Sequence, residues 1–264
     1  MKYLLTSALC LVSALAFSGC GGGSGQTTSP TPQLVFFDVT GNWQFTTAST
    51  AAMKPLSIAG SFNQSLSEVR GTIHVVGSDC FDPLTTVGLA GKLASSNITL
   101  TSTSTSRQVI KLAGHIGGDS FSGTFSIEGG CAGGDQGTVT AVKMPSITSQ
   151  LTGTFSVSGE QAFTLTAQLT QSAANSDGSY GITGAATFGP SCFKTGTIVS
   201  GDFTSGSFIL GSSVRLEIES DNGTISFHGT ADQSGHIKGD FAISNSTCNQ
   251  TGTAVFVATG QWDY

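Results

Sequence analysis

The chain has 264 residues and a formal charge of −6, and only 10% of its residues are charged, against a usual ~25%. Lysine and arginine are scattered rather than clustered, so the sequence lacks the basic patch that phosphate-backbone binding requires, and nucleic acid is not an expected partner. No stretch beyond the N-terminus has the Ala/Leu/Glu/Lys make-up of long helices; Thr, Val, Ile and 17 Phe residues point to β-structure instead.

In chain order, Lys2 opens a short basic segment, and Leu4 to Phe17 form an apolar run too short to span a bilayer. The run ends in Phe17-Ser18-Gly19-Cys20. This resembles the lipobox of bacterial lipoproteins, although Phe17 stands where Leu is usual. The resemblance implies that residues 1–19 are a signal peptide and that Cys20 carries lipid. The plainer alternative is an ordinary secretory signal with Cys20 left as a free thiol. Residues 20–33 continue as a Gly/Ser/Thr-rich tether without a hydrophobic anchor for folding; a flexible coil of that length spans roughly 20 Å root-mean-square. Gly21, in place of the Asp that retains lipoproteins in the inner membrane, implies by the same resemblance an outer-membrane address in the cell envelope.

The body then repeats itself. Gly41-Asn42-Trp43-Gln44-Phe45 corresponds to Gly153-Thr154-Phe155-Ser156-Val157, and Gly77-Ser78-Asp79-Cys80-Phe81 to Gly189-Pro190-Ser191-Cys192-Phe193. Further on, Phe121 to Ile127 corresponds to Ile237 to Ile243, each followed by a cysteine, Cys131 or Cys248. Self-similarity at this length is a duplicated domain rather than a solenoid. The expected domains are residues 34–145 and 146–264, with the second copy's few extra residues placed around Ser205 to Ser213.

Within each copy the apolar period is two. Phe121, Gly123, Phe125 and Ile127 alternate with Ser and Thr, as do Phe163, Leu165, Ala167 and Leu169; Val214, Leu216 and Ile218 alternate with charged residues. That is the pattern of half-buried antiparallel strands. Turn signals such as Gly117-Gly118-Asp119 and Asp221-Asn222-Gly223 separate them. About eight strands per copy are expected, centred in the first near Trp43, Ile58, Ile73, Leu89, Ile98, Leu112, Phe125 and Val139. The fold class is therefore all-β, two tandem antiparallel domains. Consecutive hairpins favour an up-and-down barrel, with a β-sandwich as the alternative. Gly41-Asn42-Trp43 resembles the Gly-x-Trp opening of the calycin barrels, the lipocalin- and avidin-like group. That resemblance implies a barrel able to hold a small apolar ligand.

Cys20 aside, the body's four cysteines allow three pairings. The duplication selects Cys80–Cys131 and Cys192–Cys248, each closing a loop of roughly fifty residues worth about 4 kcal/mol. A zinc site or redox pair is the alternative, but the sequence has no CxxC and no His close to these cysteines. His74, His115, His228 and His236 are expected to face solvent, with His115 and His228 near equivalent places. Asp79, Asp82 and Asp135 could meet around the first bridge to bind Ca²⁺, but they read better as solvated loop carboxylates. Gly118-Asp119-Ser120 is a hairpin turn. The sequence marks no catalytic residue, no metal ligand, no cofactor and no named ligand-binding residue, and enzymatic activity is not expected. The leading expectation is a non-enzymatic envelope lipoprotein, held at a membrane by its lipid, that binds something or serves as surface structure. The candidate partners are a small apolar ligand, an envelope protein, or a glycan met by exposed aromatics such as Trp262 or Tyr264.

Overall fold

The computed structural model describes residues 37–50, 56–77, 79–157, 161–248 and 250–259. The expected signal peptide and tether, with Cys20, Trp262 and Tyr264, lie outside them. The described chain is all-β. The first copy contributes β1 (Gly41–Ser49), β2 (Ser57–Ser65), β3 (Glu68–Val76), β4 (Thr86–Ala94), β5 (Asn97–Ser102), β6 (Val109–Gly117), β7 (Ser120–Glu128) and β8 (Gln136–Met144). All eight expected strand centres fall inside them. Each strand pairs antiparallel with the next, and β8 returns to β1 with Ala141 opposite Phe45, closing the barrel. The meander is a barrel, not a sandwich.

The second copy contributes β9 (Gln150–Val157), β10 (Phe163–Ala174), β11 (Tyr180–Phe188), β12 (Thr195–Ile198), β13 (Phe208–Leu210), β14 (Ser213–Ser220), β15 (Gly223–Ala231), β16 (His236–Ser244) and β17 (Thr251–Thr259). The ring closes where β17 pairs with β9, Ala254 opposite Phe155. The place that β4 holds in the first barrel is here divided between β12 and β13, both of which pair with β11 and β14. The segment between them, residues 199–207, is the added loop. It begins upstream of the expected Ser205, because the insertion interrupts a strand rather than lengthening a turn.

Alternation decides which side chains point inward. Phe45, Phe62, Phe121 and Phe125 fill the first barrel, and Phe155, Phe163, Phe227, Phe241 and Phe256 the second. The second set packs ring on ring, Phe155 stacking on Phe163 at 4.6 Å and meeting Phe241 edge-on at 4.8 Å. Between these rings, inward positions are repeatedly glycine. Gly114 lies opposite Gly123, and a Cβ on either would come within 2.7 Å of the other's Cα. Gly229 and Gly239 repeat that pair in the second barrel. At Gly91 a Cβ would sit 1.7 Å from the Thr99 carbonyl oxygen. Strands that coil sharply enough to close a small barrel approach too closely at these points for any side chain.

The ends are closed as well. Cys80 is bonded to Cys131 and Cys192 to Cys248, with Cα atoms 5.5 and 6.4 Å apart. Each bridge joins the loop after the third strand of its barrel to the loop before the last, and the residue next to it, Phe81 or Phe193, is buried. Gln108 ties the first pair of loops together: its Nε2 donates to the Cys80 carbonyl (2.9 Å) and its Oε1 accepts from the Ala132 N–H (2.8 Å). At the opposite end the Trp43 indole N–H donates to the Val39 carbonyl, drawing the incoming chain over the first barrel (2.8 Å). In the second barrel Met144 and Ile147 take the capping role and belong to its core. The Ile147 N–H donates to Gln171 Oε1 (3.0 Å).

Gly91→Ala is expected to cost about 3 kcal/mol, since only backbone movement can admit the new methyl group. Gly88→Ala, whose Cβ would meet Thr103 Cγ2 at an ordinary 3.5 Å, should change stability little. Denaturant midpoints of the two variants check the contrast.

Candidate functional site

By the two-residue period, Asn42, Gln44, Ala59, Ser61, Thr72 and His74 lie on the outer face of β1, β2 and β3. The second barrel covers this face with two loops, residues 175–179 and 199–207, and with the turn at Gly211-Ser212. Asn42 is buried and treats Gly211 as a neighbouring strand would: its Nδ2 donates to the Gly211 carbonyl (2.8 Å) and its Oδ1 accepts from the Gly211 N–H (2.6 Å). Gln44 Oε1 accepts from the Ser212 N–H (3.1 Å) and hydroxyl (3.2 Å). Ala59 packs on Phe208 and Leu210, with Phe203 against them.

His74 is 2% exposed, which corrects the expectation that it faces solvent. It does point outward from β3, but the added loop of the second copy lies over it. Its Nδ1 is 3.0 Å from the Pro83 carbonyl and its Nε2 3.0 Å from that of Asp177, and the Phe203 ring lies 4.2 Å from its own. With a carbonyl oxygen at each nitrogen, the ring is a strut between the barrels. Asp177 fastens the covering loops: Oδ1 accepts from the Ser179 N–H (2.9 Å) and hydroxyl (2.6 Å), and Oδ2 from the Phe203 N–H (2.9 Å).

Two clefts flank this joint. One, of about 430 Å³, is lined by His74, Leu84, Asn175, Asp177, Asp202 and Phe203. Hydrogen bonds from the Thr204 hydroxyl and N–H hold the Asp202 carboxyl below its ordinary range. The other, of about 460 Å³, is lined by Thr40, Asn63, Arg70, Thr72, Ala174 and Tyr180, among others. Burial pushes the Tyr180 phenol up to about 12, so it stays protonated. Burial would raise the nearby Asp38, but the Thr40 N–H and hydroxyl and the Lys143 charge outweigh it and hold that carboxyl low.

The remaining sequence candidates are dispersed. His115, His228 and His236 are exposed. His115 follows Gly114 while His228 precedes Gly229, so they lie on opposite sides of the matching glycine pair and are not equivalent positions. His115 stands opposite Asn97 and Ser122, and His228 opposite Arg215 and Asp240. His236 Nδ1 is 3.4 Å from Asp232 Oδ2 in an exposed hairpin. The Ser120 hydroxyl donates to the Gly117 carbonyl (2.8 Å), closing its turn. Asp79 and Asp82 are exposed, whereas Asp135 is 2% exposed and accepts from the Ser49 hydroxyl. That corrects the reading of Asp135 as solvated, and among the described residues no group of three metal-ligating side chains assembles. In the first barrel's interior the space under Trp43, Phe45, Phe62 and Phe121 is about 10 Å³.

The joint residues Asn42, Arg70 and Tyr180 escaped the reading of the sequence. A signal was present: the second copy has Thr154 and Ser156 where the first has Asn42 and Gln44, and the joint forms where the copies differ.

These features define a tandem pair of eight-stranded antiparallel barrels, disulfide-closed and joined through a buried polar contact. No protein-family model matches the chain, and no curated protein does. Among solved structures, kievitone hydratase from Nectria haematococca aligns with 84% of this chain and 90% of its own, at 7% identity and a TM-score of 0.22. A likeness that slight carries neither fold nor activity across.

Asn42→Ala should destabilise the chain by about 2–4 kcal/mol, since it strands the Gly211 N–H and carbonyl in a buried contact. Thermal unfolding measures the loss. Tyr180 gives a pH signature. Its folded value lies above the ordinary 10.0, at about 12, so its contribution is complete below pH 10 and is lost as pH rises toward 12. The full loss is at most about 3 kcal/mol. Tyr180→Phe should flatten that part of the stability–pH curve.

Proposed function

We propose that this chain is a non-enzymatic lipoprotein of the cell envelope, held by lipid on Cys20 through the tether at residues 20–33, and that it works through the outer surface of its paired barrels. The observation that carries this reading is the filled interior. The residual space of about 10 Å³ in the first barrel would hold about one water, whereas small-ligand sites occupy roughly 300–1,000 Å³. Carriage of an apolar ligand inside a calycin-like barrel therefore has less support than contact at the surface. The hydroxyl-rich outer faces and the clefts beside the joint suit polar partners, a glycan among them. The catalytic alternative has less support than surface contact: His74 faces carbonyls on both sides, and His115, His228 and His236 lie on three different strands.

Cys20→Ala should abolish the lipid mass shift and release the protein from membranes on fractionation. A variant that still partitions with membranes and carries the same added mass would sink the tether reading.

A further inference from the structure

The cleft beside Tyr180 differs in chemistry from everything else at the joint. Its lining is rich in hydrogen-bond donors, and no carboxylate is part of it, whereas the cleft across the joint holds Asp177 and Asp202. Arg70 on β3 and Asn63 on β2 are direct cross-strand partners, so guanidinium and amide leave the sheet side by side. Among the described residues Arg70 has no ion-pair partner. The adjacent carboxylates are engaged elsewhere: Glu68 pairs with Lys92 at 3.4 Å, and Asp38 takes the Thr40 N–H at 2.8 Å. From the second barrel comes Tyr180, only 8% exposed, whose ring belongs to the core. Its hydroxyl has no hydrogen-bond partner among the described residues, yet it is not among the polar atoms sealed from solvent. Tyr180 thus lines the cleft with its side chain in the second core and its O–H unpartnered among the described residues. Because the phenol stays protonated, it can only be satisfied fully by donating to an acceptor. Thr40 and Thr72 add hydroxyls, and Ala173 and Ala174 add a small apolar wall.

We infer that this cleft binds a small anionic ligand through a planar or tetrahedral oxyanion, seated between the Arg70 guanidinium and the Tyr180 hydroxyl. Arginine's fork matches carboxylate and phosphate geometry, and a space of about 460 Å³ accommodates a body of monosaccharide size. In an acidic chain such a pocket is selective, because an anion must find the local cation to overcome the net repulsion. An acidic sugar and free phosphate share this chemistry. The inference rests on the surface-contact reading and names the class of ligand that the surface takes.

The test is calorimetric titration of the full-length chain in detergent, near pH 7, with sodium galacturonate, sodium phosphate and, as the neutral control, galactose. The expected result is saturation by galacturonate and none by galactose. Arg70→Gln should weaken binding about tenfold or more, and Tyr180→Phe about fivefold, by loss of charge-assisted hydrogen bonds. Arg70 is exposed and Tyr180→Phe keeps its ring, so both variants should fold, as circular dichroism will show. Saturation by phosphate alone, with the same two losses, assigns the site to phosphate. Saturation by neither anion, or affinities that both variants leave unchanged, overturns the inference. Cys20→Ala reports on the tether alone, so either result can fail without the other.

Discussion

The close crossing of strands at inward-facing glycines is the constraint on which the rest of the structure depends. An eight-stranded barrel is narrow, and its strands must coil hard to meet. At Gly91, and where Gly114 faces Gly123, backbone occupies the space that a side chain would need. The coil those glycines permit brings the opposite walls close enough for phenylalanine rings to span them. The rings then fill the lumen. In the first barrel the rings leave about 10 Å³ of space, far less than a small molecule occupies.

The joint in turn depends on the two copies having diverged. In isolation the outer face of β1 to β3 would be one more solvated sheet surface. The second barrel makes it an interface by adding residues 199–207 and by presenting the Gly211 peptide to Asn42. The Asn42 and Gln44 amides are paired across the contact, so it resists sliding: a small displacement would leave buried amides and carbonyls unsatisfied. The connecting segment does not act as a free hinge either, because Met144 and Ile147 are part of the second core.

Much of this was legible in the sequence, for identifiable reasons. Strand period is a local property, so Phe121, Phe125, Leu216 and their neighbours announce their own orientation. The half-disulfides could be paired because the duplication supplies an internal comparison. What alternation cannot tell is what lies beyond the strand. It places His74 outward correctly but is silent about the loop that covers it, and it cannot say that Asp135 turns inward to Ser49. Nor does it reveal a site assembled from both copies, since Arg70 and Tyr180 lie far apart in sequence and share no motif.

The Asn42–Gly211 contact is heterologous: the two barrels offer different surfaces to each other. Tandem copies that kept identical faces would each present both halves of such a contact, and one molecule could dock on the next without end. The residue matching Asn42 in the second barrel is Thr154, too short to reproduce a two-way amide pairing. The turn matching Gly211-Ser212 in the first barrel is Ser95-Ser96, with Ser95 holding the same left-handed backbone, φ 55, but no Asn42 counterpart to receive it. Divergence between the copies thus builds the joint and leaves neither barrel with both of its halves.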